Sequence, residues 1–356
     1  MNSLFRIPRS AFPSMFRRMN LVKTVTALFL FMLCFQTARA AGWTKQSSGT
    51  FAWLQSIYFL NENKGWIVGS QGTFLSTDDS GNTWKQTRRF TEDRIRDVYF
   101  ADEQTGWILC ERDIYNLGSA PPSYLMKTTD GGERWEKVEF SGEGRDRIAR
   151  MFFTKSGYGY AVGESGVFFA MQDDKKTWKK TPVPSRYLLL DGNFPDDAHG
   201  AIVGGGRTIL FTEDAGLTWN KATVFGKSES RLNSIFFVNP RAGWTVGSNG
   251  KIYATTNAGK IWREQISNVN KDLLDVYFTS ATEGWAVGDQ GAILHTTTAG
   301  NVWLPIESNA RHKLERVFFA GKKGFAVGFG GTILVYDSTR PPSTIKSKPQ
   351  MLKRNQ

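Results

Sequence analysis

Cysteine is nearly missing from this chain. Its 356 residues include two, Cys34 and Cys110, and Cys34 lies inside an N-terminal apolar run. A chain shorn of that run keeps a single thiol, which excludes an intramolecular disulfide. Cys110 follows Gly106-Trp107-Ile108-Leu109, a strand-like setting in which a lone cysteine reads as a small buried hydrophobe and not as a nucleophile. Histidine is equally sparse: His199, His295 and His312 are scattered with no metal-ligand spacing, so neither a metal nor a cofactor is expected. No stretch shows the 3.6-residue apolar period of an amphipathic helix. Acidic residues are absent from residues 1–40, which hold Arg6, Arg9, Arg17, Arg18, Lys23 and Arg39, so half of the formal +12 charge sits there. With that segment set aside, nothing combines basic and aromatic residues in a groove pattern, and nucleic acid is not an expected partner.

The N-terminus has the order of an export signal. Arg17-Arg18 form a basic region, Val25–Phe35 an apolar run too short for a comfortable membrane span, and Ala38-Arg39-Ala40 a small-x-small cleavage site. An uncleaved anchor is the competing reading, with Leu21–Phe35 lengthened if Lys23 snorkels. Leu33 is too large for lipoprotein processing at Cys34. Met15 or Met19 offers an alternative start, which would leave residues 1–14 untranslated. The expected organisation is a signal over 1–40, a folded body over 41–336 and a basic, proline-containing disordered tail over 337–356.

What the body has in abundance is tryptophan at a fixed interval. Trp43, Trp84, Trp135, Trp178, Trp219, Trp262 and Trp303 recur about every 41–43 residues, with one interval longer by about ten. Three of them close the pattern T-x-D-x-G-x-x-W: Thr77/Asp79/Gly81/Trp84, Thr128/Asp130/Gly132/Trp135 and Thr212/Asp214/Gly216/Trp219. Degenerate copies are Thr255/Asn257/Gly259/Trp262, Thr296/Thr298/Gly300/Trp303 and Asp173/Lys175/Trp178. The Asp oxygens suit the backbone N–H groups of a tight turn, the Gly suits positive φ, and the Trp buries a large ring. This is a structural staple between two strands, and its acids are expected to be structural.

Between the tryptophans runs a constant order. An aromatic pair such as Tyr58-Phe59 or Tyr277-Phe278 is followed by a strand of the type Gly284-Trp285-Ala286-Val287-Gly288, then a third run into the Asp-bearing turn, then the Trp and a fourth strand. Four short strands per unit of this length make a propeller blade. The last unit stops near Tyr336 without its fourth strand, while Trp43-Thr44-Lys45-Gln46 precedes any complete unit. The expected fold is therefore all-β: a seven-bladed propeller of four-stranded antiparallel blades, the last one closed by the N-terminal strand, with no orphan sheet edge. A monomer is expected.

The turn motif is similar to the Asp-box, or bacterial neuraminidase repeat, of sialidases, sortilin-type receptors and xyloglucanases. The whole unit resembles more closely the photosystem II assembly/stability factor family, over about Trp43 to Tyr336. That resemblance implies an exported, non-catalytic scaffold in the periplasm, or in the thylakoid lumen of a photosynthetic source. It would hold a partner membrane protein or its exported segment during assembly of an envelope complex. The alternative is a sialidase-like glycoside hydrolase or a glycan-binding propeller. Phe5-Arg6-Ile7-Pro8 matches a sialidase signature but lies upstream of the export signal, and no Tyr–Glu pair stands out on the basic face.

Up-and-down blades send the Asp-box turns to one face and the blade-to-blade connections to the other. The latter carry a recurring basic residue: Arg94, Arg147, Arg186, Arg231, Lys271 and Lys313, with Arg96, Arg150 and Arg311 nearby and Arg207 in an adjacent turn. Such a ring would focus a positive potential on an anionic partner, and reversing Arg147 and Arg231 to Glu would abolish capture. Solvated loop charges, offset by Glu92, Asp93, Asp146 and Asp272, are the competing reading. The longer interval places an insertion at Glu111–Tyr124 on the same face, with Tyr115 and Tyr124 as candidate contact aromatics.

Overall fold

A computed structural model describes residues 42–337 except 114, 116, 117, 119, 139, 142–144, 227 and 228. The expected export signal and all but the first residue of the expected tail lie outside the described residues.

Each Trp-delimited unit forms one antiparallel sheet, and there are seven. The first runs through Leu54–Phe59, Gly65–Gly69, Phe74–Thr77 and Lys85–Gln86. The seventh takes three strands from the end of the chain, Leu314–Ala320, Lys323–Gly328 and Thr332–Asp337, and its fourth from the start, Thr44–Gln46. In that sheet Thr44 faces Val335 and Gln46 faces Ile333. The innermost strands touch in sequence around a closed circle, Leu54–Phe59 meeting Leu314–Ala320. The ring is thus a seven-bladed propeller closed by its own leading strand. Gln46 extends the closure to the first blade: its amide donates to the carbonyls of Gly81 (2.8 Å) and Asn82 (2.7 Å), and its oxygen accepts from the Trp84 indole (3.3 Å).

The apolar core lies between blades. Leu54, Ile57, Phe59 and Leu75 of the first pack on Phe325, Val327 and Ile333 of the seventh, and each neighbouring pair repeats the arrangement. The first glycine of each second strand leaves room for the ring that crosses it: a Cβ on Gly243 would lie 2.7 Å from Phe237. Trp178, Trp262 and Trp303 are fully buried, Trp219 nearly so, and Trp84 and Trp135 partly.

The Asp-box turns work as their composition predicts. Asp79 accepts from the Thr77 hydroxyl (2.7 Å), the Thr83 N–H (2.9 Å) and the Thr83 hydroxyl (2.6 Å); Asp214 is held by the same three groups of Thr212 and Thr218. Asp130 accepts from Thr128 (2.8 Å) and the Arg134 N–H (2.9 Å). These donors hold all three carboxyls below their usual range despite exposure. Gly81, Gly132 and Gly216 have φ of 68°, 97° and 81°.

Two blades depart from the expected four strands. The connection leaving the second blade adds Phe140–Ser141 in parallel to the outer edge of the third. The connection leaving the fourth adds Thr223–Phe225 in parallel to Ile261–Gln265 of the fifth. A connection that pauses to cover its neighbour's edge blunts that edge.

Every innermost strand carries a bulge one residue before its channel-facing position, as between Leu54 and Ser56 or between Ile95 and Asp97. The bulge turns the next residue into the central channel. That position reads Ser56, Asp97, Arg150, Asp191, Ser234, Asp275 and Arg316 around the ring.

Candidate partner-binding face

The blade-to-blade connections and the turns between second and third strands share one face, tied by bonds such as Ser248 N–H to Arg231 carbonyl and Asp289 N–H to Asp272 carbonyl. The Asp-box turns pair with the other hairpins at the opposite face, as in Ser80 N–H to Asn63 carbonyl. Of the basic residues expected at the first face, Arg186, Arg231 and Arg311 are exposed, and Lys271, Lys313, Arg94 and Arg207 partly so. Arg231 reaches Asn233 (2.8 Å) and Asp272 (3.6 Å), and Lys313 reaches Asp289 (3.5 Å). Arg207, itself at φ 54°, donates to the Gly226 carbonyl at 2.6 Å.

Three of the expected rim arginines are instead committed to one acid. Arg94 (3.8 Å), Arg96 (2.8 Å) and Arg147 converge on Glu111, whose side chain is 10% exposed. The bulge in Arg94–Phe100 and the longer neighbouring strand Gly106–Glu111 bring this about. Arg147→Glu would set two carboxylates together, so it is unsuitable as a test of binding.

Arg150 is a plain correction. It is not a rim residue but a channel residue, 12% exposed, bonded to Asp191 (3.1 Å) and paired with Asp97 (3.7 Å). The channel network is regular. Ser56 donates to Asp97 (2.7 Å), Arg150 to Asp191 and Ser234 to Asp275 (2.7 Å), while Arg316 donates to Asp275 (2.9 Å). The same acids accept the N–H of Met151, Ile235 and Val317 from the next blade. Burial pushes all three carboxyls up, Asp275 to about 7, against the pull of Arg150. Above them Tyr58, Tyr99, Tyr277, Phe152, Phe236 and Phe318 line the channel. The recurring polar residue two positions before each aromatic pair was the sequence signal for this network. With each carboxyl engaged by arginine, serine or backbone, the network is an inter-blade clasp.

Tyr124 is the second correction. It lies buried in Ser123–Thr128, its hydroxyl donating to Asp93 at 2.7 Å, and so fastens a connection to the second blade. Tyr115 is 88% exposed at the insertion. Cys110 is buried and its thiol pushed up to about 12, chiefly by burial, which removes it as a nucleophile. Among the described residues no group of three or more His, Cys, Asp or Glu side chains is placed to hold a metal.

Among the described residues, a concavity on this face is lined by charge of a single sign. Residues 183–187 and 206–210, with Lys221 and Ala222, enclose a cleft of about 580 Å³ lined by Arg186, Arg207 and Lys221 and by no carboxylate. Lys221, at the end of the fourth blade's outer strand, did not stand out in the sequence because it belongs to no repeated position.

The molecule is similar to solved propellers. YCF48 bound to D1 peptide superposes with a TM-score of 0.67 at 20% identity, covering 85% of this chain and 99% of that one. The GH74 xyloglucanase from Xanthomonas campestris superposes with a TM-score of 0.65 at 12% identity, covering 84% of this chain and 55% of that one. At such identities both likenesses speak for the fold alone. In sequence, the photosystem II assembly protein Ycf48 of Synechococcus sp. (strain JA-3-3Ab) is 26% identical over 190 residues, 52% of this chain and 54% of that protein. The alignment thus spans about half the length of that curated relative. The family profile of the photosynthesis system II assembly factor YCF48 matches residues 35–143, 170–269 and 262–340, well over half of the chain. The chain belongs to that family.

Proposed function

We propose that this protein is an exported, non-catalytic assembly factor that holds a segment of a partner protein, itself a membrane protein or its exported part, against the face bearing the blade-to-blade connections. The observation that carries the reading is the cleft lined by Arg186, Arg207 and Lys221, with no carboxylate among its lining residues. A carboxylate-rich or C-terminal peptide laid there meets guanidinium groups suited to bidentate contact. Arg311 and Lys271 extend the field around the rim. Family membership supports a partner-binding role, and the solved relative with a bound D1 peptide is an instance of the partner class. The order of residues 1–40 supports export to a periplasm or lumen, followed by action as a monomer.

The test uses full-length protein expressed in its native host and purified from the envelope. Arg186→Glu with Arg311→Glu, both exposed, is expected to abolish co-purification of the partner while shifting the melting temperature by less than about 2 °C. Undiminished co-purification by the variant would reject the face as the docking surface.

A further inference from the structure

The seven blades provide an internal comparison, because each structural position occurs seven times. Three residues before the first buried aliphatic residue of the innermost strand, which is Leu54 in the first blade and Ile95 in the second, six connections place Glu92, Arg145, Arg186, Glu229, Asn270 and Arg311. The connection from the seventh blade to the first has Phe51 there, 95% exposed. One residue before that aliphatic, where other blades have Arg94, Arg147, Leu188, Arg231, Asp272 or Lys313, this connection has Trp53. Directly after the second strand's final glycine, where others have Ser70, Glu164, Gly205, Ser248 or Asp289, the seventh blade has Phe329, 46% exposed. Three positions that carry no aromatic residue in the blades compared have therefore become aromatic, and all three fall at one seam.

The seam is rigid. The Gly331 N–H donates to the Ala52 carbonyl at 2.7 Å, Ser48 donates to the Gly331 carbonyl at 2.7 Å, and Thr50 accepts from the Ala52 N–H at 3.1 Å. Trp53 meets Phe329 edge-on with centroids 5.7 Å apart, and its indole donates to Glu315 at 2.9 Å. His312 lies 5.6 Å from Phe329. Arg94 and Lys313 flank the Trp53 ring at 5.5 and 5.9 Å, and Arg311 stands exposed beside His312. A hydrogen-bonded loop that holds a phenylalanine almost wholly in water forgoes the burial of that ring in the free protein. Rigid aromatic anchors among cations are the composition of a binding hot spot.

We propose that Phe51, Trp53 and Phe329 form an anchor site that seats one large apolar side chain of an acidic, extended peptide segment of the partner. This rests on the docking face argued above and adds a specificity element to it. Arg311, exposed beside the seam, selects for acidic neighbours of the anchored side chain, while Arg94 and Lys313 are shared with Glu111 and Asp289. The chain's own termini are unsuited as occupants: Trp43 and Asp337 leave the seventh blade at the Asp-box face, on the far side of the ring, and the tail beyond Asp337 is basic.

The experiment measures fluorescence anisotropy of labelled peptides with the intact protein. The probes are glutamate- and serine-based decapeptides with a single central guest residue, Phe or Ala. Wild type is expected to bind the Phe peptide at least tenfold more tightly than the Ala peptide, and Phe51→Ala/Phe329→Ala to erase that preference while keeping its affinity for the Ala peptide. Both side chains are exposed, so unchanged melting of the variant serves as the folding control. Equal affinity of wild type for the two peptides, or the same preference in the variant, overturns the anchor. If Arg186→Glu/Arg311→Glu then still weakens both peptides, the basic face survives the anchor's failure. Binding of neither peptide at millimolar concentration overturns both readings. Concentration-dependent dimerisation that the phenylalanine variant abolishes would assign the seam to a second copy and overturn the peptide occupant.

Discussion

The channel network gives a quantitative prediction about pH. Asp275 is buried between Ser234, Arg316 and the Val317 N–H, and its carboxyl is raised from 3.8 to about 7, first by desolvation. An acid whose folded-state value is raised holds its proton more tightly in the native state than in the unfolded chain. Its contribution is therefore fully present below about pH 4 and is lost as pH rises through 7. Between pH 5 and pH 8 the loss is on the order of 2–3 kcal/mol. For a ring of this size that corresponds to about 4 °C in melting temperature. Asp97, Asp191 and Glu315, raised for the same reason, act in the same direction. His295 acts oppositely: burial lowers it, so charging it as pH falls costs stability. Comparing wild type with Asp275→Asn isolates the carboxyl, since His295 is common to both. Calorimetric melts across pH 5–8 should show wild type losing several degrees relative to the variant as pH rises. Parallel curves for the two proteins would refute the argument that this carboxyl is forced to keep its proton.

Other perturbations have ordered outcomes. Trp262→Ala, removing a fully buried ring, should cost about 3–5 kcal/mol in chemical denaturation, and Trp84→Ala, where the ring is only partly buried, clearly less. Equal costs would count against the burial order. Gly331 has φ 69° and a Cβ there would lie 1.8 Å from the Thr50 carbonyl, whereas Gly330, at φ 66°, faces open space. Gly330→Ala should therefore cost only about 1–2 kcal/mol, and Gly331→Ala distinctly more, by the same assay. Cys110 should not react with a disulfide reagent at pH 8 until denaturant is added; rapid native labelling would contradict its burial.

The repeats were legible because their cause is local. A Trp, an Asp and a Gly at fixed spacing dictate a turn whose bonds close within five residues, as at Asp79 and Thr83. The N-terminal strand could be placed by subtraction, since a blade ending at Tyr336 lacked an outer strand. What escaped depends on neighbours remote in sequence. Arg94 and Arg150 look alike in sequence, but the bulge carries Arg150 into the channel beside Asp191, while Arg94 stays at the rim with Glu111. Tyr124 resembles an exposed loop aromatic until Asp93 is seen to accept from it across the face. The parallel strands Phe140–Ser141 and Thr223–Phe225 leave no periodic trace, because two or three residues pairing at an outer edge need no alternation.

The claim on which the functional reading stands is that one face receives the partner and the opposite face does not. A photo-crosslinking residue in place of Lys271 or Arg311 on the connection face, and of Arg241 or Lys155 at the Asp-box face, tests it in native envelopes. The account predicts a discrete protein adduct from the first two positions and none from the second two. Adducts of equal yield from both faces, or from the Asp-box face alone, would contradict it.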